Sequence, residues 1–264
     1  MLMKKKHLGR LSTFALLLAM ATPALQAHDN IKKHAAKSDA ALTAALGADI
    51  RTDEDKARDG SRKPMETLRF FGIKEDMRVL ELLPGRGWYT KILGSYLNDS
   101  GELFLSMRAN REYLTLEQWG LNTTTIVGEG YEFSKTEQRG IFDLGPGKLG
   151  VSNLDAVLTF RNLHNISEDS RKKLNADIYK ALKPGGIYGV IDQTRRHNAP
   201  LSDELWRRLD PVVVIKETLD AGFELVSFSD IHYRPADELV FDSTHESINR
   251  DSDRFTLKFR KPLN

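Results

Sequence analysis

Arg78-Val-Leu-Glu-Leu-Leu-Pro-Gly-Arg-Gly-Trp-Tyr-Thr90 is the stretch that decides how this chain folds. Residues 78–83 form a near-continuous apolar run, as a parallel strand buried on both faces requires. Pro84 to Gly87 turn the chain, and residues 88–97 carry apolar side chains at helical spacing. Strand, glycine turn and helix make the opening unit of a doubly wound α/β domain. Gly85 and Gly87 remove side chains where the backbone must approach something closely, and the helix that follows offers free N–H donors. Glu81, just before the turn, is placed to order the loop or to meet a ligand amine. Trp88 and Tyr89 flank the glycines, with packing on the sheet and lining a pocket as alternative roles. The stretch reads as a ligand site, with a bare strand-to-helix turn as the alternative.

Working outward, residues 102–107 (ELFLSM), 124–127, 154–160 (LDAVLTF) and 186–192 (GIYGVID) read as further strands. Helices are expected over 111–119, over 167–182 and over most of 202–221, the last interrupted near Pro211. Ser167 is placed to cap the second, with Glu168 and Asp169 in its first turn. Lys183 to Gly186 break that helix. Two final strands fall at 223–229 and 255–259. This alternation predicts a mostly parallel sheet covered by helices on both faces. In such sheets a ligand lies beyond the carboxyl ends of the strands, where strand order reverses.

The 264 residues suggest one α/β domain behind two N-terminal segments. Residues 1–27 have a positive start (Lys4, Lys5, Lys6, Arg10), a short apolar core (FALLLAMA, 14–21) and TPALQA ending at Ala27. This is the pattern of a cleaved export signal. The apolar run is too short for a spanning helix of about 20 residues, so no stable membrane insertion is expected after cleavage, and the lysine-rich start points to the bacterial periplasm. Residues 28–72 read as an N-terminal helical extension ending in an apolar helix edge at 64–71, and residues 73–264 as the main domain. Beyond residue 27 the chain holds 35 basic and 37 acidic residues, which argues against nucleic acid as a partner. The absence of cysteine excludes disulfides, thiolate metal sites and a cysteine nucleophile. Oligomeric state is not legible.

With these residues in place, the chain resembles class I S-adenosylmethionine-dependent methyltransferases over about residues 64–262. Glu81, Gly85 and Gly87 match the family's acidic-x-Gly-x-Gly-x-Gly motif, although Leu83 replaces its first glycine. Leu182 to Gly186 (LKPGG) match the turn before the fifth strand, and PGRGWYT, FRNLHN and DRFTLKFRKP are similar to a bacterial group of exported members. The resemblance implies S-adenosyl-L-methionine as cofactor, a small-molecule acceptor and a seven-stranded sheet of order 3-2-1-4-5-7-6 with strand 7 antiparallel. It also implies an acid on the ribose hydroxyls after the second strand, yet Leu105, Ser106 and Met107 supply none. Glu129 is the substitute cofactor contact, or an exposed loop acid.

Chemistry is expected in the loop after the fourth strand, Phe160-Arg-Asn-Leu-His-Asn165. His164 is suited to take a proton from an acceptor, with Asn162 beside it. Arg161, Asn165 and Asp192 are candidate substrate contacts, Arg161 through a carboxylate or phosphate. Capping of the loop and the next helix is the structural alternative for His164 and Asn165. No close-spaced metal-ligand motif is present. Arg58, Arg62 and Lys63 either reach over the pocket or form a solvated helix face. Two other classes compete. One is an exported binding protein that kept the fold without catalysis. The other is a nicotinamide-dependent oxidoreductase, which the missing third glycine at position 90 and the missing acid oppose.

Overall fold

The first strand, β1 (Arg78–Leu82), lies in the middle of a seven-stranded sheet, as its burial on both faces demands. The computed structural model describes residues 36–109, 112–127, 130–248 and 251–264; the export signal and Glu129 lie outside them. Residues 36–47 form a helix, α1, and the chain from Ala41 onward is one compact unit. Three more helices precede the sheet: α2 (Asp53–Lys56), α3 (Asp59–Arg62) and α4 (Pro64–Phe71). Pro64 opens α4 at its first position, and Gly72, with φ 77°, closes it.

After β1 come α5 (Trp88–Leu97), β2 (Glu102–Ser106), β3 (Thr124–Ile126), β4 (Tyr131–Lys135), β5 (Phe142–Gly147) and β6 (Leu154–Phe160). Then follow α6 (Glu168–Ala181), β7 (Leu182–Gln193), α7 (Pro211–Asp220), β8 (Glu224–Ser229) and β9 (Arg254–Arg260). The large sheet runs β3-β2-β1-β6-β7-β9-β8. Counted within that sheet, this is the expected 3-2-1-4-5-7-6. β9 pairs antiparallel with both neighbours, and the other pairings are parallel. One face of the sheet packs on α6, α7 and the β4–β5 hairpin, the other on α1, α4 and α5.

Four expectations are corrected. Residues 112–120 form turns, not a helix, because Leu114 and Trp119 fold back over the notch left by Gly87. The segment before β6 carries a separate antiparallel hairpin, β4–β5, that was not anticipated. Lys183 to Gly186 do not break α6 from a later strand; β7 begins at Leu182, and Gly185 and Gly186 exchange backbone hydrogen bonds with Lys261. Pro211 does not interrupt a long helix. It opens α7, capped by Asp210, whose side chain accepts from the Val212 N–H, and the preceding residues 203–207 are turns.

Candidate functional site

The strand order reverses on either side of β1, so the carboxyl ends of β1, β2 and β6 frame the rim where a ligand is expected. The turn leaving β1 places three residues in the left-handed region: Leu83 (φ 51°), Gly85 (58°) and Gly87 (78°). The Leu83 N–H donates to the Ser106 carbonyl, and the Gly87 N–H to the Pro84 carbonyl. The two glycines answer different needs. A β-carbon on Gly87 would lie 2.7 Å from the Trp119 ring, so packing alone forbids one. A β-carbon on Gly85 would meet nothing within 4 Å. Gly85 faces a cavity of about 230 Å³ that it shares with Leu83, Met107, Arg108, Tyr113 and Asn162. Phe133 and Phe142, from the hairpin, close the other wall, and the Arg108 guanidinium lies 4.0 Å and 4.8 Å from their ring centres.

Glu81 lies beneath the turn, 2% exposed, and accepts from the Thr90 hydroxyl at 2.7 Å. It therefore ties β1 to the first turn of α5. Burial pushes its carboxyl up to about 8, against the pull of the Thr90 hydrogen bond and of Arg62. Trp88 turns away from the cavity. Its indole N–H donates to the Asp55 carbonyl, and Arg51 and Arg62 lie over its ring. Tyr89 stacks on Phe160 at 3.5 Å, so its ring takes the packing role of its two alternatives.

Beyond β6, Arg161 takes a left-handed φ of 64° and its N–H donates to the Ile191 carbonyl. Asn162 donates through its side-chain amide to the Leu82 and Leu83 carbonyls, both at 3.2 Å, bracing the glycine turn. Asn165 donates likewise to the Gly140 carbonyl at the hairpin loop. His164 is 7% exposed, with its Nδ1 2.5 Å from an oxygen of the fully buried Asp192, which also accepts the His164 and Gln193 backbone N–H groups. A carboxylate on Nδ1 selects the tautomer that leaves Nε2 as the basic nitrogen. Neither rim cavity has His164 in its lining. Its neighbours Asn162 and Asn165 line the smaller one, while Arg161 and Gln193, the residue after Asp192, line a larger one. His197 stands apart, paired with Asp210, and among the described residues no group of three or more His, Asp or Glu is placed to hold a metal ion.

The larger cavity, about 1,080 Å³, opens beside the ends of β6 and β7 and the start of β9. Arg58, Arg62 and Lys63 line it, and Arg62 is only 7% exposed, so these cations are part of a cavity wall and not a solvated helix face. Arg234 and Arg254, from the C-terminal segment, and the aromatic hairpin were not anticipated as parts of the rim. DRFTLKFRKP was legible as a closing strand, but which wall its first arginine reaches depends on tertiary structure.

No protein-family model matches the sequence, and no curated protein does either. Solved structures do match. An S-adenosylmethionine-dependent methyltransferase from Aquifex aeolicus has 18% identity and a TM-score of 0.53, over 80% of this chain and 96% of that one. The [4+2]-cyclase SpnF has 16% identity and a TM-score of 0.55, over 77% and 81%. The 1,6-didemethyltoxoflavin-N1-methyltransferase of Burkholderia thailandensis, with 1,6-didemethyltoxoflavin and S-adenosylhomocysteine bound, has 12% identity and a TM-score of 0.51, over 96% and 92%. At these identities the shared property is the fold.

Proposed function

We propose that this chain is an S-adenosylmethionine-dependent methyltransferase acting on a small molecule. The observation that carries the reading is Gly85, whose missing side chain opens into a cavity at the strand-order reversal. Gly85, Leu83 and Asn162 would hold the amino-acid end of the cofactor. Met107 and Arg108, which line the same cavity at the end of β2, would hold its ribose. When bound, S-adenosylmethionine supplies an electrophilic methyl carbon. Because that carbon needs little covalent help, the protein contributes alignment and, for a protic acceptor, a base. His164 is oriented by Asp192 but lies in the lining of neither rim cavity, so acting as the base through Nε2 would require it to reach the acceptor from behind Asn162 and Asn165. Arg161 and Gln193 line the acceptor side. At about 230 Å³ the cavity is smaller than the 300–1,000 Å³ usual for small-molecule sites, so its walls would have to open for the cofactor to enter.

Thermal denaturation tests this reading. S-adenosylhomocysteine is expected to raise Tm and NAD to leave it unchanged; a ligand at 100 times its Kd stabilises by about 2.7 kcal/mol. No shift with millimolar S-adenosylhomocysteine would sink the proposal. One observation favours a second reading, binding of the nucleoside without methyl transfer: Leu105, Ser106 and Met107 supply no acid at the end of β2, and the Arg108 guanidinium lies over two phenylalanine rings. The [4+2]-cyclase SpnF illustrates that the fold alone does not fix the reaction. Under that reading S-adenosylhomocysteine shifts Tm but no methylated product forms with any acceptor. We propose in addition that the chain is exported, so that the mature protein begins at His28; intact mass of the secreted form tests the cleavage.

A further inference from the structure

The larger rim cavity has an unusual charge. Six cationic side chains line it: Arg58, Arg62, Lys63, Arg161, Arg234 and Arg254. Its two acids are Glu54, which is exposed, and Asp251, which already accepts from Arg234 Nε at 2.6 Å. Beside that Arg234–Asp251 pair, arginines of this wall make contacts with neutral groups. Arg62 lies 4.4 Å from the Trp88 ring centre, and the Ser61 carbonyl accepts from Arg254 Nη1 at 2.9 Å and from Arg234 Nη2 at 3.2 Å. The contact with the Trp88 ring fixes the Arg62 guanidinium without neutralising it. Among the described residues, neither Arg62 nor Arg161 has a side-chain hydrogen bond or an ion pair.

Buried charges normally persist only when paired. Burial, then the adjacent Arg161 and Arg58, push Arg62 down to about 8, and burial with Arg161 pushes Arg254 down to about 10. A guanidinium keeps its proton in proteins, so the depression expresses burial first and then the neighbouring like charges. A fold that tolerates this arrangement has a preorganised receptor for anions, and the planar guanidinium fork fits carboxylate and phosphate in particular. At about 1,080 Å³ the cavity accommodates a whole metabolite, not only an inorganic ion.

We propose that this cavity binds a small molecule carrying at least two closely spaced negative charges, phosphate or carboxylate, and that this molecule is the methyl acceptor. The second clause rests on the proposed function; the first stands without it. The test uses calorimetry and thermal denaturation of the full protein with pyrophosphate, citrate and, as a neutral control, glycerol. Pyrophosphate, citrate or both are expected to raise Tm, with affinity falling as salt rises, and glycerol to do nothing. The stronger of the two identifies phosphate or carboxylate as the recognised group. Arg161→Gln is expected to weaken the anion at least tenfold, to keep or raise the Tm of the free protein because one repelling charge is gone, and to leave the S-adenosylhomocysteine shift intact. If neither anion binds, or if Arg161→Gln lowers the free protein's Tm and spares anion binding, the inference is overturned. If Arg161→Gln instead removes the S-adenosylhomocysteine shift, the cations serve the cofactor carboxylate and the inference also fails. An anion shift without any S-adenosylhomocysteine shift would refute the methyltransferase reading alone and leave the anion site standing.

Discussion

Glu81 and the two glycines behind it show how closely spaced residues with the same apparent purpose divide their work. Glu81 holds a proton in the folded state that it releases in the unfolded one, since its value rises from an ordinary 4.5 to about 8. Its contribution to stability is therefore lost as pH rises through that interval. His232 works in the opposite sense, but its window closes at its ordinary value of 6.5. Of the two, only Glu81 acts between pH 6.5 and 8, where it is expected to remove about 2 kcal/mol. Glu81→Gln is expected to flatten that part of the Tm–pH curve; an unchanged slope would exonerate the carboxyl. The glycines separate as well. Gly85→Ala introduces only the left-handed strain of a β-carbon, about 1 kcal/mol, and is expected to weaken S-adenosylhomocysteine binding. Gly87→Ala adds a 2.7 Å clash with Trp119 and is expected to destabilise more, as denaturant titration of the two variants will show.

Among the elements, the ones legible in sequence are those whose own pattern dictates them. α4, α5 and β6 have the bounds that apolar spacing and flanking glycine or proline require. The segments that were misread are the ones settled by distant partners. Tyr113, Leu114, Leu116 and Trp119 have helical spacing, yet Leu114 and Trp119 fill the Gly87 notch from a series of turns. β5 contains Gly145, Pro146 and Gly147, which argue against a strand, but it pairs on one side only, where proline is tolerated. At the site, the β1 turn and the loop after β6 were readable because they are contiguous. The hairpin rings Phe133 and Phe142 stand 48 and 57 residues after Gly85, and Arg234 and Arg254 stand 73 and 93 residues after Arg161. α6 and α7 are joined by a buried bidentate pair, Arg171 Nε and Nη2 to Glu217 at 2.8 Å and 2.6 Å. Glu217→Ala leaves the guanidinium buried and unpaired, and is expected to cost about 3 kcal/mol or more; a double-mutant cycle with Arg171→Met measures the coupling.

Across the molecule, a buried histidine helps to fasten the N-terminal helices to the last strand. His232 is 1% exposed, with Nε2 2.9 Å from the Arg62 carbonyl and Nδ1 2.8 Å from the Thr256 hydroxyl. Burial holds it down to about 4, so it is neutral at pH 7 and donates to the carbonyl through Nε2. The stability it provides is present above pH 6.5 and lost as pH falls toward 4. Acid is therefore expected to release α3 from β9 before the sheet melts, seen as early loss of amide-exchange protection at residues 59–71, and His232→Gln is expected to blunt the effect. The same fastening fixes when the molecule becomes whole. Lys258 donates to the Phe70 carbonyl, and Arg254 and Arg234 to that of Ser61, contacts that close loops of 173 to 193 residues. Such distant closures come late and slowly. The cationic chamber is therefore the last part of the protein to exist, and no nascent chain still lacking β9 possesses it.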